Sequence, residues 1–289
     1  MNSEDGLMVD LAYFLPPSQG ELNLEAYNPS YTFNLDKTNA KKEAQTLGIS
    51  LNEWQTKLFA EQKQGLLIIF QAMDSIAKLS NLQQVFTGLS PHGISAHTFD
   101  PPGIDDHRHD FLRRFHLYVP SKGMIGIFSH SYYEWILRNM VNKGIEPKGL
   151  HNQATHINNF ELLLRDTGTQ VIKFYLHISR QEHRHRLLQR LSNPEEYWKL
   201  TPTDLHIQKH WSQTIKSYEH IIQLTHSPLH PWYIIPSDYT WFRDLLIAKI
   251  LNHTLTAMKP SYPVMQPPFN IEDLPEEVVT NLSKKAKKN

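Results

Sequence analysis

The sequence contains no cysteine. Disulfide scaffolds, thiol nucleophiles and cysteine-ligated zinc are excluded together. Neither sign of charge dominates: Lys+Arg and Asp+Glu each number 29, for a formal net charge of zero. A global cationic field for nucleic acid is excluded, whereas a local basic cleft is not. Long apolar runs are missing as well. The longest, Leu66–Phe70, falls far short of the roughly 20 residues that a bilayer-spanning helix needs. The segment MNSEDGLMVDLAYFLPP carries acids where a secretory signal carries Lys or Arg. The expectation is a soluble, cytoplasmic protein with no membrane and no nucleic-acid partner.

What remains suffices for a core. The chain has 289 residues, 40% of them hydrophobic and 20% charged, which admits one large domain or two ordinary ones. Residues 1–37 show no period and read as an irregular arm. Residues 38–63 read as a helix ended by Gly65, and the short apolar run Leu66–Phe70 as a buried strand. Alternation follows: helix 76–88, strand 94–99, helix 104–119, strand 124–128, helices 131–142 and 151–167, strand 171–178. Ser179 with Glu182 has capping-box spacing. Thr201-Pro202-Thr203-Asp204 opens a helix that runs to about 226, followed by strand 232–235 and helix 238–258. Strands separated by helices imply a parallel sheet with helices on both faces. Residues 261–289 are Pro-rich, then basic, and read as a tail.

The first strand runs into Gln71-Ala72-Met73-Asp74-Ser75-Ile76-Ala77-Lys78. An ammonium where a buried strand gives way to a helix can hold phosphate beside converging backbone N–H groups. The glycines that let a phosphate loop bend tightly are absent, so by pattern alone this is no phosphate loop and Lys78 reads as a surface lysine. Arg186 and Arg190 share a helix face at i,i+4, with Arg184 nearby and Lys199 further on; they read as an anion clamp or as a solvated basic face. Asp110 and Arg114 have ion-pair spacing. His206 and His210 could chelate a metal, but no third ligand is identifiable, and a solvated face explains them as well.

A collinear set of segments then narrows the reading. Phe174-Tyr175-Leu176-His177-Ile178-Ser179, Glu195-Glu196-Tyr197-Trp198-Lys199-Leu200-Thr201, Pro231-Trp232-Tyr233-Ile234-Ile235-Pro236, His109-Asp110-Phe111-Leu112 with Arg114, and Gly126-Ile127-Phe128 before Ser131 together resemble the polyphosphate kinase 2 family. The resemblance spans about residues 38–263. It implies an α/β, P-loop kinase-like parallel sheet flanked by helices (38–260), with a helical lid at about 179–205. It also implies phosphoryl transfer between inorganic polyphosphate and a nucleoside mono- or diphosphate, with magnesium and no organic cofactor. Family members are commonly oligomeric, so a homo-oligomer is compatible with it.

Carried over residue by residue, Asp74 and Lys78 become the catalytic pair, with Asp74 the magnesium ligand. Lys78, Arg184, Arg186, Arg190 and Lys199 become the polyphosphate-binding cations. Asp110, Arg114, Ser131, Tyr133 and Glu134 fall at the nucleotide end. The family's loop has the form Gly-x-Asp-x-x-Gly-Lys, often with a trailing acid; here Ala72, Ala77 and Leu79 replace the glycines and that acid. Its second motif has an acid or amide and then an arginine where Ser129 and His130 stand. The resemblance thus implies a diverged phosphotransferase of reduced activity, or an inactive relative that binds polyphosphate or nucleotide, or that regulates an active paralogue.

Overall fold

The computed structural model describes residues 9–73, 83–143, 147–270 and 273–275. Five strands form one sheet in the order β2-β3-β1-β4-β5, with β1 at Gly65–Ala72, β2 at Ile94–His97, β3 at Ile125–Phe128, β4 at Thr169–His177 and β5 at Trp232–Pro236. Every pairing is parallel: β1 lies between β3 and β4, β2 flanks β3, and β5 flanks β4. The three apolar runs of the sequence are therefore adjacent, as expected.

Burial on both faces explains why β1 is a continuous apolar run. Leu67 and Ile69 face one core, shared with Tyr132, Tyr133, Ile157, Tyr218 and Trp232. Leu66, Ile68 and Phe70 face the other, shared with Leu51, Leu58, Phe242, Leu246 and Leu251. The first core is covered by α4 (Tyr132–Lys143), α5 (Pro147–Asp166) and α8 (Trp211–Thr225), the second by α1 (Lys37–Glu61) and α9 (Thr240–Met258). Gly126 in β3 is required by packing, because a Cβ there would meet the ring of Pro120 at 2.8 Å.

The remaining helices are α2 (Gln83–Phe86), α3 (Arg113–His116), α6 (Arg180–Leu191) and α7 (Pro202–Lys209). Three expectations need correction, and a fourth lies largely outside the described residues. Helix α1 ends at Gln62, which adopts a left-handed conformation (φ 50°), and Gly65 instead begins β1. Of the helix expected over 76–88, Gln83–Phe86 is helical, and 76–82 lie outside the described residues. The helix expected over 104–119 is a short 3-10 turn at Asp106–Arg108 followed by α3. Asp106 and Asp110 accept the backbone N–H groups of Gly103 and Leu112, local bonds that compete with helix. The helix expected from 201 to 226 breaks at His210 (φ −113°, ψ 33°) into α7 and α8.

The segment expected to be an irregular arm is irregular but packed: Phe14, Leu22 and Leu24 are buried against the sheet layers. Among the described residues, no helix is long and apolar enough to cross a membrane.

Candidate active site at the carboxyl edge of the sheet

In an open parallel sheet, ligands bind outside the carboxyl ends of the strands. Asp74 and Lys78, with Ala77 and Leu79, lie outside the described residues. The end of β1 that precedes them is described, and it is held from two sides. The Gln71 amide donates to Ser131 Oγ (3.0 Å) and to Glu134 Oε2 (2.8 Å). The same Glu134 oxygen accepts the Ser131 backbone N–H at 2.6 Å, closing the first turn of α4. From α8, the Tyr218 hydroxyl donates to the Ala72 carbonyl at 3.0 Å. Ser131 and Glu134 are thus brought together around the end of β1.

At the end of β3, Ser129 is buried. Its Oγ lies 2.6 Å from Thr98 Oγ1, and its N–H donates to the His97 carbonyl at 3.1 Å. His130, next in the chain, is half-buried.

The arginines expected to form an anion clamp separate by face. Arg184 is exposed, whereas Arg186 and Arg190 are 8% and 7% exposed on one side of α6. Arg186 spends Nε on Glu182 Oε1 (2.7 Å) and Nη2 on the Ser237 carbonyl (2.8 Å); its buried Nη1 has no hydrogen-bond partner among the described residues. Lys199, on the 3-10 turn Pro194–Lys199, pairs with Glu196 and lies 5.5 Å from the Trp198 ring.

The residues expected at the nucleotide end do not converge on one point. Tyr133 is fully buried, and its hydroxyl donates to Glu161 Oε1 at 2.8 Å. Arg114 pairs with Asp106 at 3.1 Å rather than with Asp110; Asp110 is exposed and accepts the Leu112 N–H. Both border α4 through Phe111, whose ring stacks on Trp135 with centroids 6.1 Å apart.

Among the described residues, no group of three His, Asp or Glu side chains could hold a metal, the His206–His210 pair included. With the Ser129 hydroxyl committed to Thr98, these residues do not by themselves fit a magnesium ion.

Sequence reasoning missed a buried network behind α4. Lys173 Nζ contacts Glu161 Oε2 at 2.6 Å and donates to the Thr225 carbonyl at 2.7 Å. Tyr132 and Tyr133 both donate to Glu161 Oε1. Burial pushes the Lys173 ammonium below its ordinary range, opposed by the Glu161 charge. Burial and the same charge push both phenols well up. A lysine inside the apolar strand VIKFYLHI was the available signal.

Residues 34–263 match the family model described as polyphosphate kinase 2. The chain is 35% identical over 246 residues to an AMP/ADP-polyphosphate phosphotransferase of Meiothermus ruber, covering 84% of this chain and 92% of that one. It is 34% identical to an ADP-polyphosphate phosphotransferase of Rhodopseudomonas palustris, covering 75% and 79%. Among solved structures, the polyphosphate kinase 2 of Arthrobacter aurescens superimposes with a TM-score of 0.84 at 28% identity, covering 94% of this chain and 95% of that one.

Proposed function

The chain belongs to the polyphosphate kinase 2 family, and from that premise we propose that it moves a phosphoryl group between inorganic polyphosphate and a nucleoside mono- or diphosphate. In the forward sense, a terminal phosphate oxygen of the nucleotide attacks the terminal phosphorus of polyphosphate. One P–O–P bond breaks, and the polymer leaves one unit shorter. Such transfer depends on positioning and on neutralising charge.

The observation that carries this reading is the placement of Arg186 and Arg190, buried side by side on α6, in a chain whose lid segment falls within the family match. In this proposal Lys78 holds phosphate at the end of β1, Arg186 and Arg190 add positive charge from the buried face of α6, and exposed Arg184 with Lys199 meets the polymer from solvent. Ser131 and Glu134 anchor the loop root. Asp110 and Arg114 border the nucleotide end, and Tyr133 supports α4 from within. Magnesium would arrive with the phosphates and supply charge neutralisation, with Asp74 as its protein contact.

A second reading is favoured by Ser129. A hydroxyl held by Thr98 at 2.6 Å replaces a charged or amide group, and His130 replaces a fixed bidentate cation. Both changes favour binding with slow or no turnover. The test is nucleotide turnover with polyphosphate, magnesium and AMP or ADP, beside Lys78→Ala. Polyphosphate-dependent product that is lost in Lys78→Ala supports the transferase. Binding without product supports the second reading, and neither binding nor product rejects both.

A further inference from the structure

We propose that Asp238 is a positioning residue for this reaction, and that the N-terminal arm acts through it to hold the lid helix α6 against the carboxyl edge of the sheet. The inference rests on the phosphotransferase reading, in which α6 carries the phosphate-facing arginines.

Ser179 caps α6, its Oγ accepting the Glu182 N–H at 3.0 Å. In a complete capping box the Glu182 carboxylate would return to the Ser179 N–H. Here Glu182 Oε1 turns instead to Arg186 Nε, 2.7 Å away. The Ser179 N–H donates to Oδ1 of Asp238, 2.8 Å away and 59 positions on. A carboxylate from the β5–α9 turn thus takes over the second half of the cap, and its charge also complements the positive end of the helix.

The second oxygen of the same carboxylate belongs to the arm. Ser30 Oγ donates to Asp238 Oδ2 at 2.6 Å, and the Asp238 N–H donates to the Pro29 carbonyl at 3.1 Å. The arm has further ties of its own. The Tyr27 carbonyl lies 3.0 Å from His177 Nε2, and the Leu24 N–H donates to Glu219 at 2.8 Å. From the lid side, Arg186 Nη2 returns to the Ser237 carbonyl at 2.8 Å. Asp238 is therefore the joint: one oxygen sets the first turn of α6, the other sets the rotamer of Asp238 from the arm. Arg186 and Arg190 sit two and three turns further along that helix, so a tilt at Ser179 displaces both relative to the carboxyl end of β1. Small displacements of charged groups are costly in phosphoryl transfer.

The test uses the full chain in four forms: wild type, Ser30→Ala, Asp238→Ala and Asp238→Asn. Hydrogen exchange at the amides of Ser179, Glu182 and His183, without substrate, reads the joint directly. Asp238→Ala should speed exchange there about fivefold, the worth of one hydrogen bond, with the β1 and β4 amides unchanged. Ser30→Ala should move the same amides in the same direction by less. Asp238→Asn, which retains an oxygen for the Ser179 N–H, should restore most of the protection. In titrations with inorganic polyphosphate, Ser30→Ala and Asp238→Ala should weaken binding; in turnover they should raise KM for polyphosphate more than they lower kcat. Unchanged exchange at α6 in both Ser30→Ala and Asp238→Ala overturns the inference, and Ser30→Ala decides alone if Asp238→Ala does not fold. Wild type that binds no polyphosphate rejects the phosphotransferase reading instead, while the exchange data still decide the joint.

Discussion

The side-chain amide of Gln71 donates to the carboxylate of Glu134 across 2.8 Å, tying the end of β1 to the first turn of α4. The same carboxylate caps α4 through the Ser131 N–H. Glu134→Ala removes both bonds and leaves the buried Gln71 amide with Ser131 alone. A lost cap with a lost hydrogen bond costs about 1–2 kcal/mol, or roughly 2–8 °C in Tm at this chain length. Calorimetry should show that drop, with Glu134→Gln, which keeps an acceptor, falling between the two. An unchanged Tm in Glu134→Ala would remove the anchoring role.

Behind α4, the Lys173–Glu161 pair is fully buried. Lys173→Met strands a carboxylate in the core, a class of change that costs about 3–5 kcal/mol. Adding Glu161→Gln removes that charge and leaves an oxygen for the Tyr132 and Tyr133 hydroxyls. Urea unfolding should find the double variant more stable than Lys173→Met alone. The reverse order would mean that the tyrosine hydroxyls, rather than the ammonium, hold Glu161.

Much of this fold was legible because its signals are local. Leu66–Phe70 had to be a strand buried on both faces, and the segments around Tyr175, Trp198 and Trp232 carried the family resemblance along most of the chain. What escaped was set by tertiary contacts. His210 carries no breaker signal, yet the helix turns there. Ser179 and Glu182 have capping-box spacing, but Arg186 claims Glu182, and Asp238, far along the chain, takes its place. Arg114 chose Asp106 over the evenly spaced Asp110 because turn bonds broke the helix that would have aligned them. The i,i+4 spacing placed Arg186 and Arg190 on one face of a helix; that Arg186 is largely spent on backbone carbonyls and Glu182 was not legible there.

On the proposed phosphotransferase reading, the residues that depart from the family's two motifs should limit the rate. The combined variant Ala72→Gly, Ala77→Gly, Leu79→Asp, Ser129→Asp, His130→Arg returns two glycines, two acids and a fixed cation. Each restored element adds electrostatic or geometric complementarity to the transferring group, and tenfold in rate corresponds to about 1.4 kcal/mol. Polyphosphate-dependent turnover should rise by at least about tenfold over wild type. Wild type already at about 1–100 per second, the ordinary kinase range, would show that Ser129 and His130 carry no penalty.

Acid should weaken the fold through histidines that folding removes, wholly or in part, from water. His226 accepts the Trp232 N–H on Nδ1 at 3.2 Å, a bond that requires the neutral ring. Burial, aided by the nearby Lys173 charge, lowers its pKa from 6.5 to about 4. Burial also lowers the pKa of His177 and of His230, against the pull of neighbouring carboxylates and, for His177, of backbone carbonyls. Each ring binds a proton more weakly folded than unfolded. Between pH 6.5 and about 4 the unfolded chain therefore holds more protons, and stability rises with pH across that window. The contribution is complete above the unfolded value and is lost as pH falls toward the folded one. Carboxylates add their own loss only below about pH 5, so the interval from about 5 to 6.5 isolates the histidines. Tm should fall steadily across it. His226→Gln, which can accept from Trp232 without titrating, should flatten the slope. A slope of the same steepness in His226→Gln would show that the ring at 226 is not held neutral by its place in the fold.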